Sequence, residues 1–188
     1  MDVIIRACKV TEVEILRHLA YETYNQTFRS MNTAETMDKY LEAAFSRDRL
    51  QEELSSPRCG FFFMYADGEL SGYLKLNEAP EQSDFNDPDS IELERIYVRR
   101  EFQGRGLGKE LITYAVQTAR RKGKRYLWLG VWERNDKAIA FYRDMGFVVA
   151  GRHDFQMGDE IQHDLIMKRL LEDASVPPML CENISKKT

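Results

Sequence analysis

The period of hydrophobic and polar positions changes several times along the chain, and each change marks an element. Val3, Ile4 and Ile5 predict a short first strand. Thr11-Glu12-Val13-Glu14 has the spacing of a capping box, after which Val13, Leu16, Ala20, Tyr24 and Thr27 follow helical spacing to about Phe28. Thr33 is placed to cap a second helix carrying Met37, Tyr40, Leu41 and Ala44, and Leu50 and Leu54 before the breaker Pro57 predict a third short helical piece. Residues 60–65 are apolar and aromatic, Asp67-Gly68 is a hairpin turn signal, and residues 70–76 continue as an antiparallel partner.

Ile91, Leu93, Ile96, Tyr97 and Val98 predict the next strand. It runs into a glycine-rich turn, Gln103-Gly104-Arg105-Gly106-Leu107-Gly108-Lys109, and then a helix with Leu107, Leu111, Ala115 and Ala119 on one face and Gly123 at its end. Residues 126–131 carry few polar groups, as a buried strand parallel to 91–98 would after a helical crossover. Asn135 is placed to cap a helix with Ala138, Phe141 and Tyr142 that stops at Gly146. Residues 147–155 and 161–170 then predict a second hairpin around Gly158-Asp159. The order βαα-ββ-β-α-β-α-ββ predicts one α/β domain over residues 1–171, with a mixed, mostly antiparallel sheet of about seven strands, and a polar tail over 172–188.

Glycines crowded at a helix start let a ligand approach the backbone and leave N–H groups unpaired where the helix dipole favours an anion. The turn alone is equally consistent with a tight loop, and two nucleotide motifs do not fit it. A Walker-type loop needs Ser or Thr after Gly-Lys, where this chain has Glu110, and a dinucleotide fold needs GxGxxG, where the spacing is GxGxG. Glu92 and Glu94, two apart on the preceding strand, share a face, where they could take up a proton or pair with an arginine such as Arg95 or Arg99. The loop over 78–90 carries Glu78, Glu81, Asp84, Asp87 and Asp89 with Pro80 and Pro88, and such a charge run is expected to be solvated surface.

A length of 188 residues suits one domain, and a net charge of −4 argues against a general nucleic-acid binder. The basic run over 120–125 then reads as a solvated helix end. Cys8, Cys59 and Cys181 are odd in number and form no CxxC pair, which fits a reducing cytoplasm better than a disulfide framework or a zinc ribbon. Cys59, ahead of an apolar strand, reads as a small buried hydrophobe rather than a nucleophile. His18, His153 and His163 have no metal-ligand spacing, so no metal is expected. Neither a signal peptide nor a run of ~18 apolar residues is found, so no membrane association is expected.

Two motifs in order resemble those of the GCN5-related N-acetyltransferases. Gln103-Gly104-Arg105-Gly106-Leu107-Gly108 matches the Q/R-x-x-G-x-G/A motif between strand and helix, and Asn135, Ala138, Phe141-Tyr142 and Gly146-Phe147 match the marker after the following strand. The likeness spans roughly residues 3–170. Within that superfamily the chain looks most like the bacterial polyamine acetyltransferases of the PaiA type. That closer match rests on Glu92-Leu93-Glu94-Arg95-Ile96-Tyr97, Trp128-Leu129-Gly130-Val131-Trp132-Glu133, Met157-Gly158-Asp159-Glu160 and Asp164-Leu165-Ile166-Met167. It extends to Asn25-Gln26-Thr27-Phe28 and Tyr40-Leu41-Glu42-Ala43-Ala44-Phe45, in helices that shape the acceptor site of the family.

The resemblance implies acetyl-CoA as cosubstrate, with the N–H groups of Gly104 to Lys109 on its pyrophosphate and Arg105, Lys109 and Lys137 adding positive charge. It implies that the central parallel pair splays and that pantetheine lies in the gap against the backbone of Ile96, Tyr97 and Val98, with Asn135 touching it or acting as a plain helix cap. Tyr142 matches the residue that protonates the CoA thiolate, and without that match it would read as a core aromatic. Glu94, and after it Glu92, are the candidate bases for the amine, with water as the alternative. The expected acceptor is a small amine, a polyamine such as spermidine or spermine before an aminoglycoside or a protein amine. A sensor that binds CoA or polyamine with little turnover is the other reading, and the resemblance leaves room for a homodimer.

Overall fold

The structure is a computed structural model that describes residues 1–157 and 160–171, with 155–157 and 160–162 described by backbone alone. The turn expected at Gly158-Asp159 and the tail expected from 172 lie outside the described residues. Among these residues the strands are β1 (Val3–Ala7), β2 (Cys59–Ala66), β3 (Glu69–Asn77), β4 (Ser90–Val98), β5 (Tyr126–Trp132), β6 (Val148–Met157) and β7 (Glu160–Leu170). They form one seven-stranded sheet in the order β1-β2-β3-β4-β5-β7-β6, antiparallel except for the β4–β5 pair. The mixed sheet matches the expectation from the hydrophobic pattern.

Alternation along the strands separates two cores. Phe61, Phe63 and Tyr73 face α1 (Val13–Phe28), α2 (Ala34–Ala44) and α3 (Arg47–Ser55), whereas Met64, Leu74, Leu76, Ile91 and Leu93 face α4 (Leu107–Arg121) and α5 (Asp136–Asp144). Asp67 and Gly68 turn the β2–β3 hairpin with φ of 49° and 83°, as a two-residue turn with both residues left-handed requires. Thr33 Oγ1 accepts from the Thr36 N–H at 3.2 Å and caps α2 as expected. The expected Thr11–Glu14 box is not formed. A short 3-10 turn, Val10–Glu12, leads into α1, and the Glu12 carboxylate instead takes the Lys9 N–H at 2.8 Å and pairs with Arg6 at 2.7 Å.

Two irregularities shape the centre of the sheet. On β4, Leu93 pairs with Leu76 and Arg95 with Lys75, so Glu94 is the extra residue of a bulge. The bulge re-phases the strand. Ile91 and Leu93 face α4 before it, Ile96 and Val98 after it, and Arg95 and Tyr97 turn to the α1 side. The second irregularity is that β4 and β5 pair only at Ser90–Tyr126, Ile91–Leu127 and Glu92–Trp128. Beyond them β4 stays with β3 as far as Val98–Gly72, and β5 stays with β7 as far as Trp132–Asp164. The parallel pair therefore opens into a cleft.

The loop between β3 and β4 meets the expectation of solvated surface at Glu81, Asp84 and Asp89, which are exposed, and departs from it elsewhere. Glu78 is buried against Lys122 and Lys124 at 2.5 and 2.9 Å, and Gln82 is buried with its amide on the Ser90 carbonyl and hydroxyl at 3.1 and 3.0 Å. Tyr126 donates to Asp87, and Phe85 packs edge-on to Trp128 at 4.9 Å. The basic run at the end of α4 is exposed at Arg120, Arg121, Lys122 and Arg125, as expected of a solvated helix end, and only Lys124 is largely covered, against Glu78. No described helix is long and apolar enough to cross a membrane.

The close approach of β3 to β4 depends on Gly72, where a Cβ would stand 2.4 Å from the Tyr97 carbonyl oxygen and 3.2 Å from Val98 Cα. Both contacts are backbone and cannot swing aside. Gly72→Ala is expected to destabilise the protein by about 2 kcal/mol or more in urea unfolding, as overpacking does, and to displace the end of β4.

Candidate active site

The cleft between β4 and β5 continues into a cavity of about 1100 Å³. Its walls are the β4 segment from Glu92 to Val98, Gly130 to Trp132 on β5, Tyr142 on α5 and, at the far end, α1 and α2. Gln103, the first residue of the glycine turn, also lines it. Gly104 and Gly106 have φ of 76° and 82° with nothing within 4 Å of a Cβ, so glycine is needed there for backbone shape rather than for space. Among the described residues, none of the backbone N–H groups from Gly104 to Gly108 finds an acceptor in the chain. These donors, at the start of the fifteen-residue α4, suit a diphosphate.

The other residues expected at this end divide. Gln103 donates from Nε2 to the Val98 carbonyl at 3.0 Å and ties the end of β4 to the turn. Leu107 is buried under α4 and Gly108 lets Phe141 approach, with a Cβ there 3.2 Å from its ring. Arg105 folds back on the Glu101 carbonyl at 2.8 Å and over the Phe102 ring, while Lys109 and Lys137 are exposed. Ile96, Tyr97 and Val98 line the cleft on the edge that β5 has left. Asn135 accepts the Ala138 N–H at 3.2 Å through Oδ1, which fills its capping role, and it also lines the cavity. Tyr142 packs against Phe147 and Phe141 and reaches the cavity, and burial raises its hydroxyl well above the usual tyrosine range. A phenol so placed keeps its proton until a strong base appears.

Glu92 and Glu94 do share a face, because both carboxylates accept from the Asn77 amide, at 3.1 and 2.5 Å. Their surroundings drive them apart. Burial pushes Glu94 up, but Arg95 at 3.1 Å and Lys75 at 2.6 Å outweigh it and hold the carboxyl at about 2. Lys75 is itself 2% exposed and bridges to Glu53 at 3.0 Å, while Arg99 pairs with Glu22 on α1 at 2.8 Å. Glu92 is 2% exposed and has only neutral donors, the Ser83 N–H at 2.8 Å, the Ser83 hydroxyl and Asn77. Burial and then the nearby Glu94 charge raise it above the ordinary carboxylate range.

The cavity also reaches the helical segments expected to shape the acceptor site, together with Tyr24, Asp84 and His153, for which the sequence carried no site expectation. Tyr24 and Tyr40 stack at 4.6 Å and 22°, with Phe28 and Phe45 beside them, so the α1 and α2 segments do line it. Asp84 meets His153 Nδ1 at 3.1 Å, Asp164 lies 4.0 Å from the other ring nitrogen, and Asp154 meets His163 at 2.8 Å. No group of described His, Cys, Asp and Glu residues has metal-holding geometry. Cys59 is half-buried, its thiol pushed up to about 11 by burial. One signal could have exposed the ionic cluster. Lys75 sits alone in an apolar strand and demands a buried counter-charge.

The parting of the parallel pair thus leaves an open strand edge beside free N–H groups at a helix start, an arrangement able to take an extended, anionic ligand. Comparison with known proteins agrees. The sequence profile of the Acetyltransferase (GNAT) family matches residues 18–147, and the chain belongs to this family. An uncharacterised N-acetyltransferase from the pepI 3′ region of Lactobacillus delbrueckii subsp. lactis is 40% identical over 169 residues, 89% of this chain and 98% of that one. A spermidine N(1)-acetyltransferase of Thermoplasma acidophilum is 25% identical over 153 residues, 79% of this chain and 90% of that one. The crystal structure of the PaiA N-acetyltransferase of Thermoplasma acidophilum in complex with coenzyme A has a TM-score of 0.73 at 25% identity, covering 90% of this chain and 99% of that one. The protein is an N-acetyltransferase that uses acetyl-CoA.

The ionic cluster at the bulge carries a prediction for stability. Glu94→Gln leaves Lys75 and Arg95 without their shared carboxylate and should cost about 3 kcal/mol in urea unfolding at neutral pH. The folded pKa of Glu94, about 2, lies below the ordinary 4.5, so the stabilisation is present above 4.5 and fades as pH falls toward 2. The difference between the wild type and Glu94→Gln should shrink over that window.

Proposed function

We propose that the protein transfers the acetyl group of acetyl-CoA directly to a primary amine of a polyamine such as spermidine or spermine, with Glu92 as the base and Tyr142 as the acid. The observation that carries this reading is the charge balance of the cavity lining. Asp84, Glu92, Glu94, Asp154 and Asp164 outnumber Lys39, Arg49 and Arg95 there, and all of these carboxylates but Glu94 have no Lys or Arg partner among the described residues. Carboxylates left in that state raise the local concentration of a polycation. The polyamine substrates of the relatives point the same way. The unpaired thiols of Cys8 and Cys59 suit the cytoplasm as the compartment.

Acetyl-CoA supplies an activated acyl group and a thiolate leaving group. The chain's own residues do the rest. The N–H groups from Gly104 to Gly108 hold the diphosphate, and the free edge of β4 takes the pantetheine and directs an N–H at the thioester carbonyl. Glu92, kept from Lys and Arg, retains enough basicity to take a proton from the acceptor's ammonium, directly or through water, so that the neutral amine attacks the thioester carbon and the thiolate departs, while Glu94 is neutralised by Lys75 and Arg95. The preference between the two carboxylates is thus the reverse of the sequence expectation. Tyr142 gives its proton to the departing sulfur.

Thiol release from acetyl-CoA should be measured with spermidine, spermine, an aminoglycoside and a peptide with a free N-terminus. Spermidine or spermine should lead by about tenfold in kcat/KM, and CoA binding without release by any amine would favour the sensor reading. Glu92→Gln should lower kcat about 100-fold or more. Because the base must be ionised and its pKa is raised, wild-type kcat/KM should fall as pH drops through that raised value, and Glu92→Gln should lose this limb. Tyr142→Phe should lower kcat far more than it raises KM for acetyl-CoA, and an unchanged kcat would remove Tyr142 from the acid role.

A further inference from the structure

The structure assigns Ser83, in the loop between β3 and β4, to the site as the positioning residue that holds the Glu92 carboxylate toward the acceptor. The inference rests on the reading of Glu92 as the base and extends it to a residue outside both family motifs.

The geometry is specific to each oxygen. Glu92 Oε2 accepts from the Ser83 N–H at 2.8 Å and from Asn77 Nδ2 at 3.1 Å, which uses its two lone pairs. Oε1 accepts the Ser83 hydroxyl and keeps one lone pair for an incoming N–H or water. Ser83 is itself fixed on both sides. Gln82 is buried beneath the loop on Ser90, and Asp84 is joined to His153 on β6 at 3.1 Å. Phe85, two residues on, stands against Trp128. The loop thus spans from the base to the wall that carries Asp164, and Ser83 is where it touches the base.

Hydrogen bonds to an ionised carboxylate favour the charged form. At Glu92 they oppose burial and the charge of Glu94 on the same strand. The other charged groups around it are Lys75 on β3, which is occupied by Glu94 and Glu53, Asp84 on the loop and His153 on β6; across β5 stands the uncharged Trp128. The Ser83 hydroxyl is the donor that can be removed without touching the backbone N–H that closes the loop.

The test compares wild type, Ser83→Ala and Ser83→Thr. Carbon-13 labelled glutamate and NMR titration, with the Glu92 signal identified by its absence in Glu92→Gln, read the carboxyl directly and need no turnover. Ser83→Ala should raise the Glu92 midpoint by about one pH unit, the worth of a hydrogen bond to a charged group. Ser83→Thr, which keeps the hydroxyl, should return it. The acidic limb of kcat/KM with spermidine should move by the same amount while KM for acetyl-CoA stays put. An unmoved midpoint in Ser83→Ala, or one that Ser83→Thr fails to restore, overturns the inference. If the midpoint moves but Glu92→Gln keeps the wild-type acidic limb, the base reading falls, and with it the catalytic role of Ser83, whereas its hold on the carboxylate stands.

Discussion

The β4 strand pairs with β5 at three positions and then leaves it, and the rest of the site depends on that parting. A buried strand edge with unpaired N–H and C=O groups is costly unless something takes their place. Here the flanking strands β3 and β7 remain paired, so the sheet is not lost, and the open edge is left available to an extended ligand, the use proposed for it above. The glycine turn stands at the end of the same cleft, because Gln103 fastens it to the last carbonyl of β4.

The bulge at Glu94 serves the same end. It lets the strand present apolar residues to α4 on either side of the irregularity, and it crowds Glu94, Arg95 and Lys75 onto the opposite face. The outcome is a division between two carboxylates only two residues apart. One is spent on neutralising buried cations and stabilises the fold, and the other is surrounded by neutral donors and stays basic. Neighbouring carboxylates whose pKa values are pushed in opposite directions are the pattern on which the proposed assignment of Glu92 as base rests.

The loop between β3 and β4 is the part whose character changed most between sequence and structure. Its acidic residues look like solvent-facing charge, and Glu81, Asp84 and Asp89 are exposed, yet Glu78 is bound by lysines at the end of α4, Asp87 by Tyr126, and Asp84 by His153. Each partner is more than 30 residues away in the chain, so no local pattern could announce it. The loop is thereby made a wall of the cavity.

The sequence by itself determined the element order, the mixed sheet, the glycine turn, the cap at Asn135 and the position of Tyr142, because each is written in local periodicity or in a short motif whose residues stay together. The shared face of Glu92 and Glu94 was also legible, since strand side chains alternate. Tertiary structure alone decided which of the two carboxylates keeps its basicity, because that depends on Lys75 and Asn77 from β3 and Ser83 from the loop. It also decided that Arg105 turns back on Glu101 and that Asp84, His153 and Asp164 meet. Charge is a local property of a residue, but its protonation and its reach are set by neighbours that only folding brings near.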